Sequence, residues 1–276
     1  MLSYQHGYHA GNFADIVKHF VLTNLLSSLQ QKEKPLFILE THAGRGLYDL
    51  RDRQSNKTGE YLAGIAEVWK FKKKAPTSFE SYLKSIQKLN NEELRYYPGS
   101  PSLIIDNLRP QDRLTACELH PREFDHLDSL SHQGKRVHFT HSDGMHNLTA
   151  LLPPPERRGL IFIDPSFEIK TEYKQIPEKM GLAYKKFETG VFCLWYPIID
   201  NRLHEKLIRH LGAIPAKQTL NIEFHLGVPG DGMNSCGLWI INPPYLLEEQ
   251  VKSGLDYLCS IINPKKSFYR IEKTGS

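Results

Sequence analysis

A carboxylate at the end of a short apolar strand is the strongest candidate for chemistry in this sequence. Residues 159–163 form an apolar run, and Asp164, Pro165, Ser166 and Phe167 follow it directly. A run bounded in this way predicts a strand buried in a parallel sheet, and Pro165 must end it because proline cannot donate to a sheet ladder. Open α/β sheets bind ligands at the carboxyl ends of their strands, where Asp164 would lie. An aspartate there more commonly caps the next helix, so the motif alone leaves both interpretations open.

Other strand ends carry residues that suit a nucleotide-like cofactor. The first strand runs into a turn with Gly44 and Gly46, which would let the backbone approach a ligand closely. The second strand ends on Glu118, at a position where dinucleotide folds bind ribose hydroxyls. Glu118 follows Gly46 by 72 residues instead of the usual spacing of about 20, which indicates an insertion. Asp143 and Gly144 follow the third strand and indicate either a ligand contact or a plain turn.

The order of elements predicts an α/β, Rossmann-like methyltransferase fold with a seven-stranded mixed sheet. Apolar residues recur at helical spacing from Phe13 onward. Five strand–helix units follow, then an antiparallel pair over 219–226 and 238–242, which we expect at a sheet edge, and a final helix over 248–262. A seventh, antiparallel strand is typical of methyltransferases with this layout, whereas a dehydrogenase usually keeps six parallel strands.

The domain organisation follows from the position of the insertion. We predict a Rossmann-like domain made of residues 1–50 and 98–276, with a mobile N-terminal segment at 1–12 and an inserted helical subdomain at 51–97. The insertion contains the basic run Lys70–Lys74. Such a run is either a solvated face or a patch that contacts phosphates, and the sequence favours neither.

Composition indicates a soluble globular protein, which we expect to be cytoplasmic and monomeric. The chain is 40% hydrophobic and 24% charged, and it has neither a long apolar run nor the pattern of a secretory signal. The four cysteines are scattered, which favours reduced thiols. The net charge of +4 permits a nucleic-acid partner without demanding one. His6 and His9 come nearest to a metal-ligand pair, but no third ligand is visible nearby, so we expect no metal.

A set of short motifs runs through the chain in order. They are Leu2-Ser-Tyr4-x-His6, His9-Ala-Gly-Asn12, Ala14-Asp15, Lys18-His19, Thr41-His-Ala-Gly44 with Gly46, Thr58-Gly-Glu-Tyr61, Arg95-Tyr-Tyr-Pro-Gly-Ser-Pro101, Glu118-Leu-His-Pro121 and Arg157-Arg-Gly159. Together they are specific, and the chain resembles the J-type large-subunit ribosomal RNA adenine-N6-methyltransferases from residue 1 to about 250.

This resemblance implies methyl transfer from S-adenosyl-L-methionine to the N6 amino group of an adenine in large-subunit (23S) ribosomal RNA. It implies that the cofactor lies against His19, His42, Ser100, Glu118, Asp143 and Gly144. Asp164 becomes the catalytic carboxylate, and Tyr4, His6 and Lys18 belong to a segment that closes over the cofactor and assists transfer. The implied contacts to the substrate base are Pro165, Phe167 and Tyr4. From its own helix Lys18 would be read as a solvated surface lysine, and the resemblance revises that interpretation.

The motif after the fourth strand departs from the family's Asp-Pro-Pro-Tyr. Phe167 keeps an aromatic face, on which stacking is worth about 1–3 kcal/mol per base, but it lacks the tyrosine hydroxyl. Ser166 lacks the fixed φ of proline, so the loop is less preorganised. The segment Asn242–Tyr245 is closer in sequence to the family motif, but it follows the last strand of the predicted sheet. We therefore expect it to end that strand and to take no part in catalysis.

Three other functions remain open at this level. A DNA adenine-N6 methyltransferase could use the same site, although the chain has no large extra domain for reading duplex sequence. A protein that only binds nucleic acid through a weakened site would account for Ser166 and Phe167. A NAD-binding oxidoreductase would leave Asp164 and Pro165 without a role.

Overall fold

The computed structural model describes residues 5–130, 134–199, 202–228 and 232–275. Its helices are α1 (Phe13–Leu29), α2 (Arg53–Thr58), α3 (Ile65–Phe71), α4 (Glu80–Leu89), α5 (Ser100–Asp106), α6 (Pro121–Asp128), α7 (Gly144–Ala150), α8 (Glu172–Lys186), α9 (Leu203–Gly212) and α10 (Leu247–Ile261). Its strands are β1 (Phe37–Glu40), β2 (Leu47–Asp49), β3 (Tyr96–Pro98), β4 (Arg113–Glu118), β5 (Val137–His141), β6 (Gly159–Ile163), β7 (Val191–Ile198), β8 (Thr219–His225), β9 (Ser235–Ile241) and β10 (Phe268–Thr274).

The main sheet has the strand order β5-β4-β1-β6-β7-β9-β8-β10. Strands β1, β4, β5, β6 and β7 are parallel, whereas β9 is antiparallel to both of its neighbours. One hydrophobic cluster packs α1 and α10 against one face of the sheet, and a second packs α7, α8 and α9 against the other. This is the predicted Rossmann-like methyltransferase fold class. Among the described helices, none has the length and apolar character needed to cross a membrane.

The predicted strand count was wrong by one, because β10 follows the helix that was expected to finish the fold. β10 pairs antiparallel with β8 and forms the edge of the sheet. The predicted antiparallel pair, β8 and β9, therefore does not end the sheet, because β10 lies outside β8. The new edge strand carries Arg270, Glu272 and Lys273, and such charges are typical of edge strands because they discourage pairing with other chains. The same charges hide the strand from a search for apolar runs.

Helix α1 is buried along most of its length. The Asn12 side chain caps it by accepting the backbone N–H of Asp15 at 2.9 Å. Further along, Phe20 stacks on Phe79 with ring centroids 4.2 Å apart. A helix that is apolar around its whole circumference belongs in a protein interior, so the polar residues Asp15, Lys18 and His19 of its first turns are carried inside with it.

Residues 51–97 contain α2, α3, α4 and most of β3. Strand β3 pairs antiparallel with β2, which joins the two ends of this stretch. The N–H of Ile65, which begins α3, donates to the carbonyl of Gly11 at 2.8 Å, so the stretch also contacts the residues before α1. In the basic run, the Lys72 ammonium lies 3.1 Å from the centre of the Trp69 ring. The division into a Rossmann-like domain and an inserted subdomain stays a prediction.

Candidate active site

A buried ion cluster joins α1 to the end of β6. The Lys18 ammonium donates to Asp164 Oδ2 at 2.7 Å and lies 2.9 Å from Asp15 Oδ1. Asp15 and Lys18 are 2% and 4% exposed. Residues three apart on a helix share a face, so α1 presents both charges to the carboxyl end of β6. The sequence separation of Lys18 and Asp164 is 146 residues.

These contacts fix the charges of the cluster. Burial alone would lower the pKa of Lys18, but the carboxylates of Asp15 and Asp164 outweigh it and raise that pKa well above its usual value. Burial would likewise raise the pKa of Asp15, but His6 and Lys18 outweigh it and hold that pKa well below its usual value. At neutral pH Lys18 is therefore a cation and Asp15 an anion. Lys18 can act through its charge but cannot serve as a general base.

The segment before α1 reaches the cluster through Asp15. His6 Nε2 donates to Asp15 Oδ2 at 2.8 Å, and the Gly11 N–H donates to the same oxygen at 2.9 Å. The His6 ring lies edge-on to Tyr48 with centroids 5.3 Å apart. His9, which formed the other half of the conceivable metal pair, instead contacts Glu60 at 2.9 Å. The predicted site residue Tyr4 lies outside the described residues.

The carboxylate of Glu118 lies at the end of β4, beside the glycine turn that follows β1. Its two oxygens accept the backbone N–H groups of Gly44 and His120, each at 2.7 Å. Gly44 has φ of +62°, a left-handed conformation that favours glycine. Burial raises the pKa of Glu118. The turn and the carboxylate therefore hold each other in place, and the remaining lone pairs of the carboxylate can accept hydroxyl donors.

Asp143 and Gly144 connect β5 to α7. The Asp143 side chain caps α7 by accepting the Met145 N–H at 2.8 Å. A Cβ added to Gly144 would lie 1.9 Å from the carbonyl oxygen of Thr41. Because that contact is with backbone and cannot yield cheaply, this close approach of the two strand ends requires glycine.

Two neutral histidines and a serine complete this side. Burial and the nearby Lys18 charge lower the pKa of His19 well below its usual value, and its Nδ1 is hydrogen-bonded to the Tyr97 hydroxyl at 2.7 Å. Burial lowers the pKa of His42 to about 4. Ser100 is buried at the start of α5. These side chains are therefore uncharged at neutral pH and suit hydrogen bonding to a polar ligand.

A cavity of about 310 Å³ opens where these strand ends meet, within the size range of small-molecule sites. Its wall includes most of the predicted site residues, namely His6, Lys18, His19, His42, Ser100, Glu118, Asp143, Gly144, Asp164 and Pro165. Its aromatic rings besides histidine, among the described residues, are Tyr48 and Trp195. Among the described residues, the predicted catalytic and cofactor residues thus line one continuous space.

Phe167 is the exception, because the structure does not bring it to the cavity wall. It is 8% exposed, and its ring packs against Tyr173 with centroids 4.6 Å apart. Its φ of +53° lies in the left-handed region, which a phenylalanine rarely adopts. In this conformation no base can stack on Phe167, and the neighbouring wall is formed by Ser166 and Ile169.

Two residues were missed by sequence reasoning. Glu40 ends β1 with 0% exposure, and neither of its oxygens accepts a hydrogen bond of good geometry from any described residue. Burial raises the pKa of Glu40 well above its usual value, and the nearby Ser100 hydroxyl only partly offsets this. The signal for Glu40 was present, since an acidic residue ends the strand before the glycine turn. Trp195 lay in an apolar run with no signal of its place on the cavity wall.

The segment Asn242–Tyr245 lies at the end of the sheet opposite the carboxyl ends of the parallel strands. It follows β9, which is antiparallel to β7, and the Asn242 amide donates to the Gly190 carbonyl at 2.8 Å, just before β7 begins. Tyr245 is 90% exposed. The expectation that this segment takes no part in the site is thus supported by its position.

The cavity fits S-adenosyl-L-methionine by its shape and its charges. The backbone of Gly144 lies close to that of Thr41, with no side chain between them. The carboxylate of Glu118 can accept hydrogen bonds from ribose hydroxyls. The acidic groups Glu118 and Asp143, which line the cavity, suit a ligand that carries a sulfonium and an ammonium. Fold and site together define an S-adenosyl-L-methionine-dependent methyltransferase.

Comparison with known proteins gives the family. The sequence model of the family described as "Ribosomal RNA large subunit methyltransferase D, RlmJ" matches residues 33–273. The chain belongs to this family. It is 41% identical over 267 residues to ribosomal RNA large subunit methyltransferase J of Escherichia coli (strain K12), covering 96% of this chain and 95% of the relative.

Two further proteins are similar to this chain over nearly its whole length. The protein of the same name from Haemophilus influenzae is 40% identical over 269 residues, with 96% of this chain and 95% of the relative covered. A crystal structure of a protein from Legionella pneumophila str. Philadelphia 1 superposes with a TM-score of 0.92 at 50% identity, covering 97% of this chain and 99% of the other. The match therefore spans nearly the full length in each case.

Proposed function

We propose that this methyltransferase transfers a methyl group from S-adenosyl-L-methionine to the N6 amino group of an adenine in large-subunit ribosomal RNA. The observation that carries the proposal is the carboxylate of Asp164, which lies on the same cavity wall as the predicted cofactor residues and contacts the Lys18 ammonium at 2.7 Å. The names of the relatives, which are ribosomal RNA large-subunit methyltransferases, support the substrate class.

The proposed mechanism assigns Asp164 to the amino group of the base. The lone pair of an exocyclic adenine nitrogen is delocalised into the ring, so the nitrogen is a poor nucleophile. Hydrogen bonds from the amino hydrogens to the Asp164 carboxylate and the Pro165 carbonyl would favour a pyramidal nitrogen. They would also stabilise the positive charge that develops on it. The cofactor would supply an activated methyl group and leave as its neutral thioether, so no covalent enzyme intermediate is required. The methylated nitrogen then becomes neutral by losing one amino hydrogen as a proton to water.

Lys18 has a supporting part in this mechanism. Lys18 is a cation at neutral pH, and its ammonium donates a hydrogen bond to Asp164 Oδ2 that orients the carboxylate. The base must leave its stack to reach the site, and in-line placement of the nitrogen, methyl and sulfur would supply much of the rate. The role of Tyr4 and His6 in closing over the cofactor belongs to the same proposal.

The stacking surface for the base depends on the segment after Asp164. Phe167 can receive the base only if this segment rearranges, because its ring is packed on Tyr173 in the described conformation. Ser166 lacks the fixed φ of proline, which suits such a rearrangement. Trp195 is an aromatic residue of the cavity wall that already lies beside the cluster, with its ring centre 5.8 Å from the Lys18 ammonium.

Recognition of the RNA outside the cavity is assigned to basic residues of the stretch 51–97, including Lys70–Lys74. Lys70, Lys73 and Lys74 are exposed. The ammonium groups of Lys70 and Lys74 lie 4.9 and 5.4 Å from the centre of the Phe71 ring, and cations beside an aromatic ring can contact phosphates and bases together. A monomeric state, a cytoplasmic location and the absence of a metal remain predictions.

The test replaces Asp164 by alanine. Ribosomal RNA from cells lacking the protein, DNA and tritium-labelled cofactor would be incubated with each variant, and methyladenine would be located by mass spectrometry. We expect wild-type transfer to one adenine of large-subunit RNA, and a loss of at least about 100-fold in Asp164→Ala because a preorganised electrostatic contact is removed. Calorimetry should show cofactor binding little changed.

The control is Asp256→Asn, an exposed carboxylate that accepts a hydrogen bond from the Tyr269 hydroxyl and is not part of the cavity lining. It should keep wild-type turnover. Near-normal turnover in Asp164→Ala would contradict the mechanism, and transfer to DNA in preference to RNA would contradict the substrate.

A further inference from the structure

The buried carboxylate of Asp15 makes more contacts than a helix end requires. An acidic residue in the first turn of a helix is ordinarily stabilised by the macrodipole alone, and the capping of α1 is already done by Asn12. Asp15 instead accepts hydrogen bonds from His6 and Gly11 with one oxygen and contacts the Lys18 ammonium with the other. Each group that it binds belongs to the N-terminal segment or to the cavity wall.

Asp15 also links the segment before α1 to the carboxylate that follows β6. On one side are His6 and Gly11, which precede α1, and on the other is Lys18, whose ammonium contacts Asp164 at 2.7 Å. The chain of contacts therefore runs from the N-terminal segment through Asp15 and Lys18 to the proposed catalytic carboxylate. Every member lines the cavity except Gly11.

We infer that Asp15 is a positioning residue that sets the Lys18 ammonium on Asp164 and couples it to the placement of residues 6–11. This inference rests on the proposed function, because it assigns Asp15 a part in orienting the groups that act on the base. Without the Asp15 carboxylate, Lys18 has one anionic partner instead of two, and His6 loses its acceptor. The ammonium then shifts toward Asp164 or the cavity, and the carboxylate no longer has a fixed orientation.

Asp112 provides a matched comparison, because it is an equally buried carboxylate with a structural role. It is 1% exposed and accepts from the Leu36 N–H at 3.0 Å and from Arg109 at 2.8 Å. It lies just before β4, at the amino-terminal end of the parallel strands, which is the end of the sheet opposite the cavity. Loss of its charge should lower stability without touching the site.

The experiment compares Asp15→Asn with Asp112→Asn in the full chain, with ribosomal RNA as substrate. For Asp15→Asn we expect kcat to fall about 10- to 100-fold, the range for losing a hydrogen bond to a charged group. Cofactor Kd and the KM for RNA should change by less than about threefold, since the cofactor contacts remain. Asp112→Asn should lower Tm and leave kcat unchanged. A structural role for Asp15 would lower Tm alone, so an unchanged kcat in folded Asp15→Asn would overturn the inference.

A double-mutant cycle with His6→Ala tests the coupling. If Asp15 transmits the position of His6, the loss of kcat in the double variant should be close to that of Asp15→Asn alone. Independent, multiplying losses would overturn the coupling. Should Asp15→Asn not fold, Asp15→Glu keeps the buried charge but displaces the carboxylate by one methylene, and a wild-type kcat in that variant would overturn the positioning role. An inactive wild-type protein would instead contradict the proposed function, so the two failures are distinguishable.

Discussion

Replacing Lys18 by methionine should leave the buried carboxylate of Asp15 and the partly buried carboxylate of Asp164 facing each other without a cation. Asp15 Oδ1 and Asp164 Oδ2 contact the same ammonium, at 2.9 and 2.7 Å, so they lie less than about 6 Å apart. At an effective dielectric constant of about 20, their repulsion is about 3 kcal/mol. Methionine fills much of the same volume, which limits any loss of packing. We expect the free energy of unfolding at pH 8 to fall by about 3–5 kcal/mol, the range for breaking a buried ion pair.

The pH dependence separates this effect from a packing defect. A repulsion of about 3 kcal/mol raises the pKa of one carboxyl by about two units in the folded state. A group whose folded pKa lies above its unfolded pKa destabilises the fold at high pH, and the penalty disappears as pH falls through the folded value. Lys18→Met should therefore recover much of its lost stability relative to wild type between pH 8 and about pH 5.

The assay is urea unfolding of both proteins at pH 5 and pH 8. The control is Lys174→Met, which breaks an exposed pair with Glu178 at 3.8 Å and should cost less than about 0.5 kcal/mol at either pH. If Lys18→Met loses the same free energy at both pH values, or loses none, the charges assigned to the cluster are incorrect.

Three other variants test separate parts of the site. Gly144→Ala places a Cβ 1.9 Å from the Thr41 carbonyl oxygen, so calorimetry should show cofactor binding at least about tenfold weaker. The control is Gly212→Ala, whose added Cβ would have no neighbouring atom within 4 Å, and it should bind the cofactor normally. Burial raises the folded pKa of Glu40, so the wild type should lose stability as pH rises above the ordinary pKa of a glutamate, and Glu40→Gln should not show this loss. Equal slopes of the unfolding free energy against pH for the two proteins, between about pH 4.5 and about pH 8, would contradict this. Phe167→Ala should raise the KM for RNA about tenfold or more if the loop turns the ring toward the base, and an unchanged KM would assign stacking to Trp195.

The gathering of the candidate site residues could be predicted because the carboxyl ends of parallel strands lie at the same end of the sheet. Gly44, Glu118, Asp143 and Asp164 each follow an apolar run, and all four line one cavity in the structure. Strand direction and the rule that ligands bind at the carboxyl ends are sufficient for this prediction. The prediction holds despite the 72-residue separation of Gly46 and Glu118, because an insertion after β1 does not alter the order of the strands in the sheet.

The remaining features depend on tertiary contacts that leave no local pattern. β10 has the charges of an exposed strand and gains its place through pairing with β8. Phe167 follows a motif that predicts an exposed aromatic ring, yet a left-handed backbone and a contact with Tyr173 bury it. In both cases the deciding partner is a long-range or medium-range neighbour, which the spacing of residues along the chain does not reveal.

Helix α1 shows why the ion cluster was the hardest part to predict. Helical periodicity identifies a buried face only when the other face is polar, and α1 is buried on all sides. Its lysine and aspartate therefore resemble surface residues in sequence, although an unpaired charge in that interior would be strongly disfavoured. They are tolerated because Asp164, brought in from 146 residues away, and His6 complete the set of partners. The cluster can form only when the N-terminal segment, α1 and the end of β6 are all in place, so the orientation of the proposed catalytic carboxylate depends on the folding of the whole site.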